Sequence, residues 1–141
     1  MATRIDPTQP QPPRVLVVDD EPHIAHVIAL SMSRAGYRTA MANDGNAGIQ
    51  MARAARPDLI ITDHQMPYVT GLDMCRQMMR DPELAGIPAI MVTARGYALS
   101  PLEMDEALIV ELVTKPFSPR MLVKLAGEVL EATTPRLRKA S

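Results

Sequence analysis

Residues 15–22 read Val-Leu-Val-Val-Asp-Asp-Glu-Pro, an unbroken aliphatic run that ends at two carboxylates. Two further apolar runs end at a charged residue, residues 59–62 at Asp63 and residues 112–114 at Lys115. Continuous aliphatic runs are typical of strands in a parallel sheet whose two faces are covered by helices, and such sheets bind ligands beyond the carboxyl ends of their strands. The three runs therefore predict one crevice in which three acids and a lysine meet.

Length and composition favour a single domain. The chain has 141 residues, a formal net charge of -1 and one cysteine, Cys75. The near-zero charge gives no electrostatic reason to expect binding to nucleic acid or to an anionic membrane. No apolar run approaches the roughly 18 residues that span a bilayer, and the N-terminus lacks a signal-peptide pattern. We expect a cytoplasmic protein without an internal disulfide.

Outward from residue 15, apolar periodicity and turn residues predict five strands that alternate with five helices. The predicted strands cover residues 15–18, 37–42, 58–63, 87–93 and 108–114. The helices between and after them are predicted from Pro22 to Gly36, from 47 to 55, from 72 to 80, from Ser100 as a short helix, and from Ser118 onward. This alternation with short connections predicts an α/β fold, a doubly wound parallel sheet.

Both ends of the chain are predicted to lie outside that domain. Residues 1–13 carry four prolines among Gln and Thr, which favours a disordered tail. Residues 14–133 form the predicted domain, and residues 134–141 are expected to be a short basic tail.

Local signals mark the start of two helices. Asp20 precedes the first helix and is a candidate N-cap as well as a candidate metal ligand. Ser100 and Glu103 form a capping-box pattern with Pro101 at the first helical position.

Four motifs in order resemble the response-regulator receiver domain of two-component signalling, in its chemotaxis-regulator-like, single-domain form. The motifs are Val-Leu-Val-Val-Asp-Asp-Glu-Pro at 15–22, Asp-His-Gln-Met-Pro-Tyr-Val-Thr-Gly at 63–71, Val-Thr-Ala-Arg-Gly at 92–96 and Thr-Lys-Pro-Phe at 114–117. The resemblance covers residues 14–133 and implies a flavodoxin-like sheet of strand order 2-1-3-4-5. It also implies phosphorylation of Asp63.

The residue types suit that chemistry. A carboxylate is a competent nucleophile towards a phosphoryl group if the repulsion between the anions is offset. Asp19, Asp20 and Asp63 supply the few oxygen ligands typical of a Mg²⁺ site. By resemblance, the backbone carbonyl of Gln65 completes the protein ligands, and Lys115 neutralises a phosphoryl oxygen.

Further positions are expected to modulate the site. Thr93 would donate its hydroxyl to a phosphoryl oxygen, and Ala94 would leave space for the group. By resemblance, Gln65 and Arg95 influence attack by water; we expect Gln65 to orient a water and Arg95 to shield the site, which predicts slow self-dephosphorylation. The Lys115–Pro116 bond is expected to be cis.

Three residues outside this set have simpler interpretations. His64 is expected to shape the loop after the phosphoacceptor rather than to transfer protons. His23 and His26 lack companion ligands for a metal and are expected to be exposed.

Two departures from the family pattern fall on one face. Leu112 stands three residues before Lys115, where the family usually has a switch aromatic. Residues 108–110 are Leu-Ile-Val where a Gly-Ala turn is usual, so we expect an irregular end of the fourth helix. The face of helix 4, strand 5 and helix 5 is the expected contact for an unknown output protein.

The resemblance implies a signalling module, not an enzyme, that takes phosphate from a sensor histidine kinase or a histidine phosphotransferase. A receiver fragment of a longer multidomain regulator is an alternative. An aspartyl-nucleophile phosphatase is a weaker alternative, because it would normally carry a second acid where this chain has Gln65. A flavodoxin relative is weaker still, because no Ser/Thr-rich phosphate loop follows the first strand.

Overall fold

The computed structural model describes the backbone of residues 11–140 and the side chains of residues 11–133. Five strands alternate with five helices along the chain. The strands are β1 Arg14–Val18, β2 Arg38–Ala42, β3 Leu59–Asp63, β4 Ala89–Thr93 and β5 Ile109–Thr114. The helices are α1 Pro22–Arg34, α2 Gly45–Ala55, α3 Gly71–Arg80, α4 Pro101–Ala107 and α5 Pro119–Ala140.

All four strand pairings are parallel, and the sheet order is β2-β1-β3-β4-β5. This confirms the predicted doubly wound, flavodoxin-like sheet. The chain passes from β1 to β2 on one side and returns through α2 to β3 on the other side of β1, so the strand order reverses at β1 and β3. Helices diverge at such a point and open a crevice at the carboxyl ends of the two strands.

The sheet separates two apolar layers. One layer joins α2, α3 and α4 to one face, with Leu16, Ile60 and Met91 among its buried members. The other joins α1 and α5 to the opposite face, around Ile61 and Leu122. Burial on both faces explains why the central strands read as continuous aliphatic runs rather than alternating ones.

Side chains cap several helix starts. The Ser100 hydroxyl accepts from Glu103 N and the Glu103 carboxylate accepts from Ser100 N, so the predicted capping box is confirmed. The expectation that Asp20 caps α1 is wrong. The helix begins at Pro22, which places Glu21 at the N-cap without a side-chain cap bond, and Glu21 N instead donates to Asp19 Oδ1 at 2.9 Å.

The end of α4 is irregular, as expected. Leu108 closes the helix in the left-handed region with φ 53° and ψ 39°. The pairing of β5 with β4 then shifts register, because Ala89 pairs with Ile109 whereas Ile90 pairs with Glu111. The extra residue, Val110, is 40% exposed at the edge of the sheet.

The chain is already held to the sheet just before β1. The carbonyls of Pro12 and Pro13 accept from Arg38 Nε at 2.8 Å and Arg38 N at 3.0 Å. The rest of the predicted tail, residues 1–10, lies outside the described residues. At the other end α5 includes residues 134–140 of the predicted basic tail, and the division into tails and domain stays a prediction. Within the described part of the chain, no helix has the length and apolar character needed to cross a membrane.

Candidate functional site

Three carboxylates meet at the carboxyl ends of β1 and β3. One oxygen each from Asp19, Asp20 and Asp63 lie within 4.8 Å of one another. Asp19 and Asp63 are 2% and 3% exposed, because both strands are covered on both faces up to their last residues. Asp20 is more open to solvent. Burying like charges together is unfavourable unless a cation offsets them.

Lys115 supplies one such cation. Its Nζ lies 3.1 Å from Asp63 Oδ1, and its side chain is a quarter exposed. At this distance the ammonium and the carboxylate stabilise each other's charged forms. One lysine therefore faces three acids, which leaves the cluster with a net negative charge.

The ionisation of these groups reflects that imbalance. Burial raises the pKa of Asp19 to about 6, against the opposing hydrogen bond from Glu21 N, and the charge of Asp63 adds to the rise. Burial also raises the pKa of Asp63, although Lys115 counteracts it. Burial lowers the pKa of Lys115, but its contacts with the carboxylates outweigh this and leave the pKa above its usual value.

These observations form a test of the predicted Mg²⁺ site. Buried, charge-rich carboxylate oxygens at short mutual distances are the donor set that this hard cation prefers. The negative charge that a single lysine leaves on three acids also favours a second cation here. The residues therefore fit a divalent cation, with Asp19, Asp20 and Asp63 as its side-chain ligands.

Thr93 ends the strand next to the acids. Its side chain is fully buried, and its hydroxyl oxygen has no hydrogen-bond partner among the described residues. The Thr93 carbonyl accepts from Lys115 N at 2.8 Å, so the backbone places Thr93 beside Lys115 across the sheet. A buried hydroxyl without a partner is costly, and a group arriving in the crevice can relieve that cost.

Gln65 and Ala94 are brought together by a hydrogen bond between two loops. Ala94 N donates to Gln65 Oε1 at 3.3 Å, so the Gln65 side chain leans across from the β3–α3 loop to the β4–α4 loop. Arg95 is exposed beyond Ala94. The roles of the Gln65 carbonyl as a metal ligand and of Arg95 as a shield stay predictions.

Leu112 and Pro116 lie on either side of Lys115. Leu112 is partly buried and packs against the apolar layer that contains α4, so it is outside the acid cluster. The Lys115–Pro116 bond is cis, as expected.

Sequence reasoning missed the role of Gly71. An added Cβ on this residue would overlap the carbonyl oxygen of Asp63 and the Cα of His64. Gly71 N also donates to His64 O at 2.9 Å, so the start of α3 lies directly against the backbone of the candidate nucleophile. The signal was present as the last residue of the motif at 63–71, but sequence alone does not reveal which atoms it faces.

A second feature missed from sequence is an aromatic contact beside Asp63. The rings of His64 and Tyr97 stack with centroids 4.3 Å apart and a tilt of 31°. His64 is 7% exposed, and its role in shaping the loop stays a prediction. Tyr97 carries no motif that would have connected it to this site.

Comparison with known proteins points to one family. A family model for the response regulator receiver domain matches residues 15–126. The phosphate regulon transcriptional regulatory protein PhoB of Pseudomonas aeruginosa is 36% identical over 121 residues, which cover 86% of this chain and 53% of that protein. The chain spans about half the length of the curated relatives it matches.

Solved structures agree with the sequence comparison. A response regulator from Chloroflexus aurantiacus superposes with a TM-score of 0.77 at 29% identity, covering 85% of this chain and 98% of that one. Chemotaxis response regulator CheY4 of Vibrio cholerae superposes with a TM-score of 0.76 at 29% identity, covering 84% and 98%.

Proposed function

Since this chain belongs to the response regulator receiver domain family, we propose that it accepts a phosphoryl group on Asp63 and signals through contact with another protein. The observation that carries the proposal is the pairing of buried Asp63 with Lys115 at 3.1 Å inside a cluster of three carboxylates. That arrangement gives a nucleophile, a cation beside it and an excess of oxygen ligands in one crevice.

The donor we propose is a phosphohistidine on a sensor histidine kinase or a histidine phosphotransferase. A carboxylate oxygen of Asp63 attacks phosphorus, an O–P bond forms, the P–N bond breaks, and the imidazole leaves with the electron pair and takes up a proton. Lys115 offsets the charge of Asp63 and of the arriving group, and the Thr93 hydroxyl donates to a phosphoryl oxygen. A bound Mg²⁺ would supply further charge neutralisation, held by Asp19, Asp20 and Asp63 with the Gln65 carbonyl.

The test is intact-mass measurement after incubation with acetyl phosphate, with and without Mg²⁺. We expect a phosphoryl adduct on the parent protein that requires Mg²⁺ and is absent from Asp63→Asn. Asp44→Asn is the matched control, because Asp44 is also an acid that follows a strand at the carboxyl edge of the sheet, where it caps α2. An adduct at full yield on Asp63→Asn would overturn the assignment.

The output surface we propose is the face formed by α4, β5 and α5. It carries exposed apolar side chains that no described element covers, Leu102, Val110 and Met121, at 66%, 40% and 57% exposure. Leu112 lies on the strand between the two helices. Leu112→Tyr should change partner binding or its dependence on phosphorylation; if both stay the same, this position is not part of the output.

A second candidate is a receiver unit within a longer multidomain regulator. Relatives such as DNA-binding response regulator MtrA are about twice as long as the matched region, since this chain covers 47% of MtrA from Mycolicibacterium smegmatis. The length of the complete gene product distinguishes the two. In either case we propose a cytoplasmic signalling module; steady turnover of a small phosphate ester would instead favour the phosphatase alternative.

A further inference from the structure

Two contacts join the β3–α3 loop, which follows the phosphoacceptor, to the β4–α4 loop, which follows Thr93. One is the hydrogen bond from Ala94 N to Gln65 Oε1 at 3.3 Å. The other is the stack of Tyr97 on His64, with centroids 4.3 Å apart. Both begin within two residues of Asp63, so a change at this carboxylate acts on both.

The His64 ring is held by packing rather than by a hydrogen bond. It is buried, and its Nδ1 has no hydrogen-bond partner among the described residues. The backbone around it is fixed, because His64 N donates to Val92 O at 3.0 Å and His64 O accepts from Gly71 N at 2.9 Å. His64 is therefore the buried half of the pair, and Tyr97, at 36% exposure, is the half that faces solvent.

The backbone of Tyr97 is coupled to the residues next to Thr93. Tyr97 N donates to Ala94 O at 3.2 Å, closing a tight turn in which Gly96 adopts φ +86°. Thr93 ends the strand that pairs with β3, and Ala94 follows it directly. A phosphoryl oxygen on Asp63 would compete with Gln65 for the Ala94 amide, which donates to Gln65 Oε1 at 3.3 Å. Any displacement of Ala94 towards the crevice pulls directly on Tyr97.

The far side of Tyr97 leads into α4. Leu99 is buried, Ser100 caps the helix, and Glu103 closes the capping box. His64 O accepts from Gly71 N at the start of α3, and the His64 ring stacks on Tyr97, three residues before the N-cap of α4, so the pair lies between the starts of the two helices. Leu112 cannot perform the aromatic rotation usual at its position, whereas Tyr97 lies three residues before the N-cap of α4 and its side chain is 36% exposed.

We propose that the His64–Tyr97 stack is the conformational readout of this site: phosphorylation of Asp63 draws Ala94 inward, Tyr97 leaves His64, and the start of α4 is presented to the partner in a changed form. This inference rests on the proposed phosphorylation of Asp63. It assigns to the Tyr97 ring the signalling movement that Leu112 lacks.

The stack can be followed through the ring current of Tyr97 on the imidazole protons of His64. The chain has three histidines, so a protein labelled only at histidine gives few signals, and His64→Gln identifies the one from His64. Spectra are recorded at about pH 8, where an imidazole of ordinary pKa is neutral. Parent, Tyr97→Leu and Tyr97→Phe are compared before and after phosphorylation with acetyl phosphate and Mg²⁺. Tyr68→Leu is the matched control, because Tyr68 is fully exposed.

Before phosphorylation, the His64 shift of the parent should differ from that of Tyr97→Leu and agree with that of Tyr97→Phe, because phenylalanine keeps the ring. After phosphorylation, the difference between parent and Tyr97→Leu should be lost. The effect of the new charge on His64 is common to both proteins and cancels in this comparison. Tyr68→Leu should behave as the parent throughout.

Two results would overturn the inference alone: no difference between the unphosphorylated parent and Tyr97→Leu, or a difference that persists when intact mass shows full phosphorylation. Absence of the adduct from the parent would overturn the proposed function, and the inference with it.

Discussion

Replacing Asp19 by asparagine should stabilise the metal-free protein at neutral pH. Asp19 is 2% exposed and lies within 4.8 Å of two other carboxylates, so its charged form is disfavoured in the folded state. Asparagine keeps an oxygen that can accept from Glu21 N, which donates to Asp19 at 2.9 Å. The substitution therefore removes the charge while retaining the hydrogen bond.

The size and sign follow from the pKa of Asp19, which rises from 3.8 to about 6 on folding. Because the folded state binds the proton more tightly than the unfolded state, this residue's contribution to stability is greatest below about pH 4 and is lost as the pH rises to about 6. At 1.36 kcal/mol per unit, the loss amounts to about 3 kcal/mol. Asp19→Asn escapes that loss, so its advantage over the parent should grow by about this amount between about pH 4 and pH 7.

The assay is urea denaturation followed by circular dichroism, in the presence of a chelator at both pH values. Asp44→Asn is the control, because Asp44 also accepts from a backbone amide, Ala47 N at 2.7 Å, but lies outside the acid cluster. It should show no comparable change with pH. A stability difference between Asp19→Asn and the parent that stays constant with pH would refute the reasoning. Mg²⁺ at about 1,000 times Kd should reverse the order, since binding then adds about 4.1 kcal/mol to the parent, more than the advantage of Asp19→Asn.

Substitutions at Gly71, Gly127, Arg56 and Arg95 probe the backbone and the lifetime of the phosphoryl group. Gly71→Ala should lower the free energy of unfolding by about 2 kcal/mol, because its Cβ would overlap Asp63 O. Gly127→Ala in α5 should instead raise the free energy of unfolding by about 1 kcal/mol, because its Cβ would lie at an ordinary contact distance of 3.5 Å from Tyr37 Oη. Urea denaturation measures both changes. Arg56→Gly should raise the free energy of unfolding by about 1 kcal/mol, because Arg56 ends α2 in the left-handed region at φ 48°, which glycine adopts without steric cost. Arg56→Ala should not raise it, because alanine pays the same steric cost as arginine in this conformation. The phosphorylated parent should persist for minutes rather than seconds after the phosphodonor is removed. Measured by intact mass, Arg95→Ala should lose the phosphoryl group severalfold faster. Decay of the parent within seconds would contradict the shielding role of Arg95.

The fold could be predicted from sequence because burial on both faces leaves a simple signature. Residues 15–18 and 59–61 are aliphatic throughout, and each run belongs to a central strand of the sheet. The ends of these strands can also be predicted, because an unpaired charged residue is too costly inside a strand that is buried on both faces. The first charged residue after each aliphatic run therefore marks the end of the strand. For this reason the meeting of Asp19, Asp63 and Lys115 could also be predicted from the order of residues along the chain.

What the sequence did not reveal depends on one-residue differences in the path of the backbone. The N-cap of α1 is Glu21 rather than Asp20. A shift of one residue in the start of the helix separates the two outcomes. Likewise, a Cβ on Gly71 would overlap Asp63 O only because α3 begins so close to the end of β3. Local propensity sets which elements form, but approaches of this kind are set by packing between elements distant in sequence.

The arrangement around Asp63 links stability to signalling. Burial raises the pKa of both Asp19 and Asp63, one lysine faces three acids, and the Thr93 hydroxyl lacks a hydrogen-bond partner among the described residues. Each of these features disfavours the resting state; a cation would offset the buried carboxylates, and the proposed phosphoryl group would give the Thr93 hydroxyl an acceptor. A ligand shifts a conformational equilibrium only by its differential affinity for the two states. The unpaired Thr93 hydroxyl and the Ala94 amide, held only by a 3.3 Å bond to Gln65, are where that differential affinity can arise.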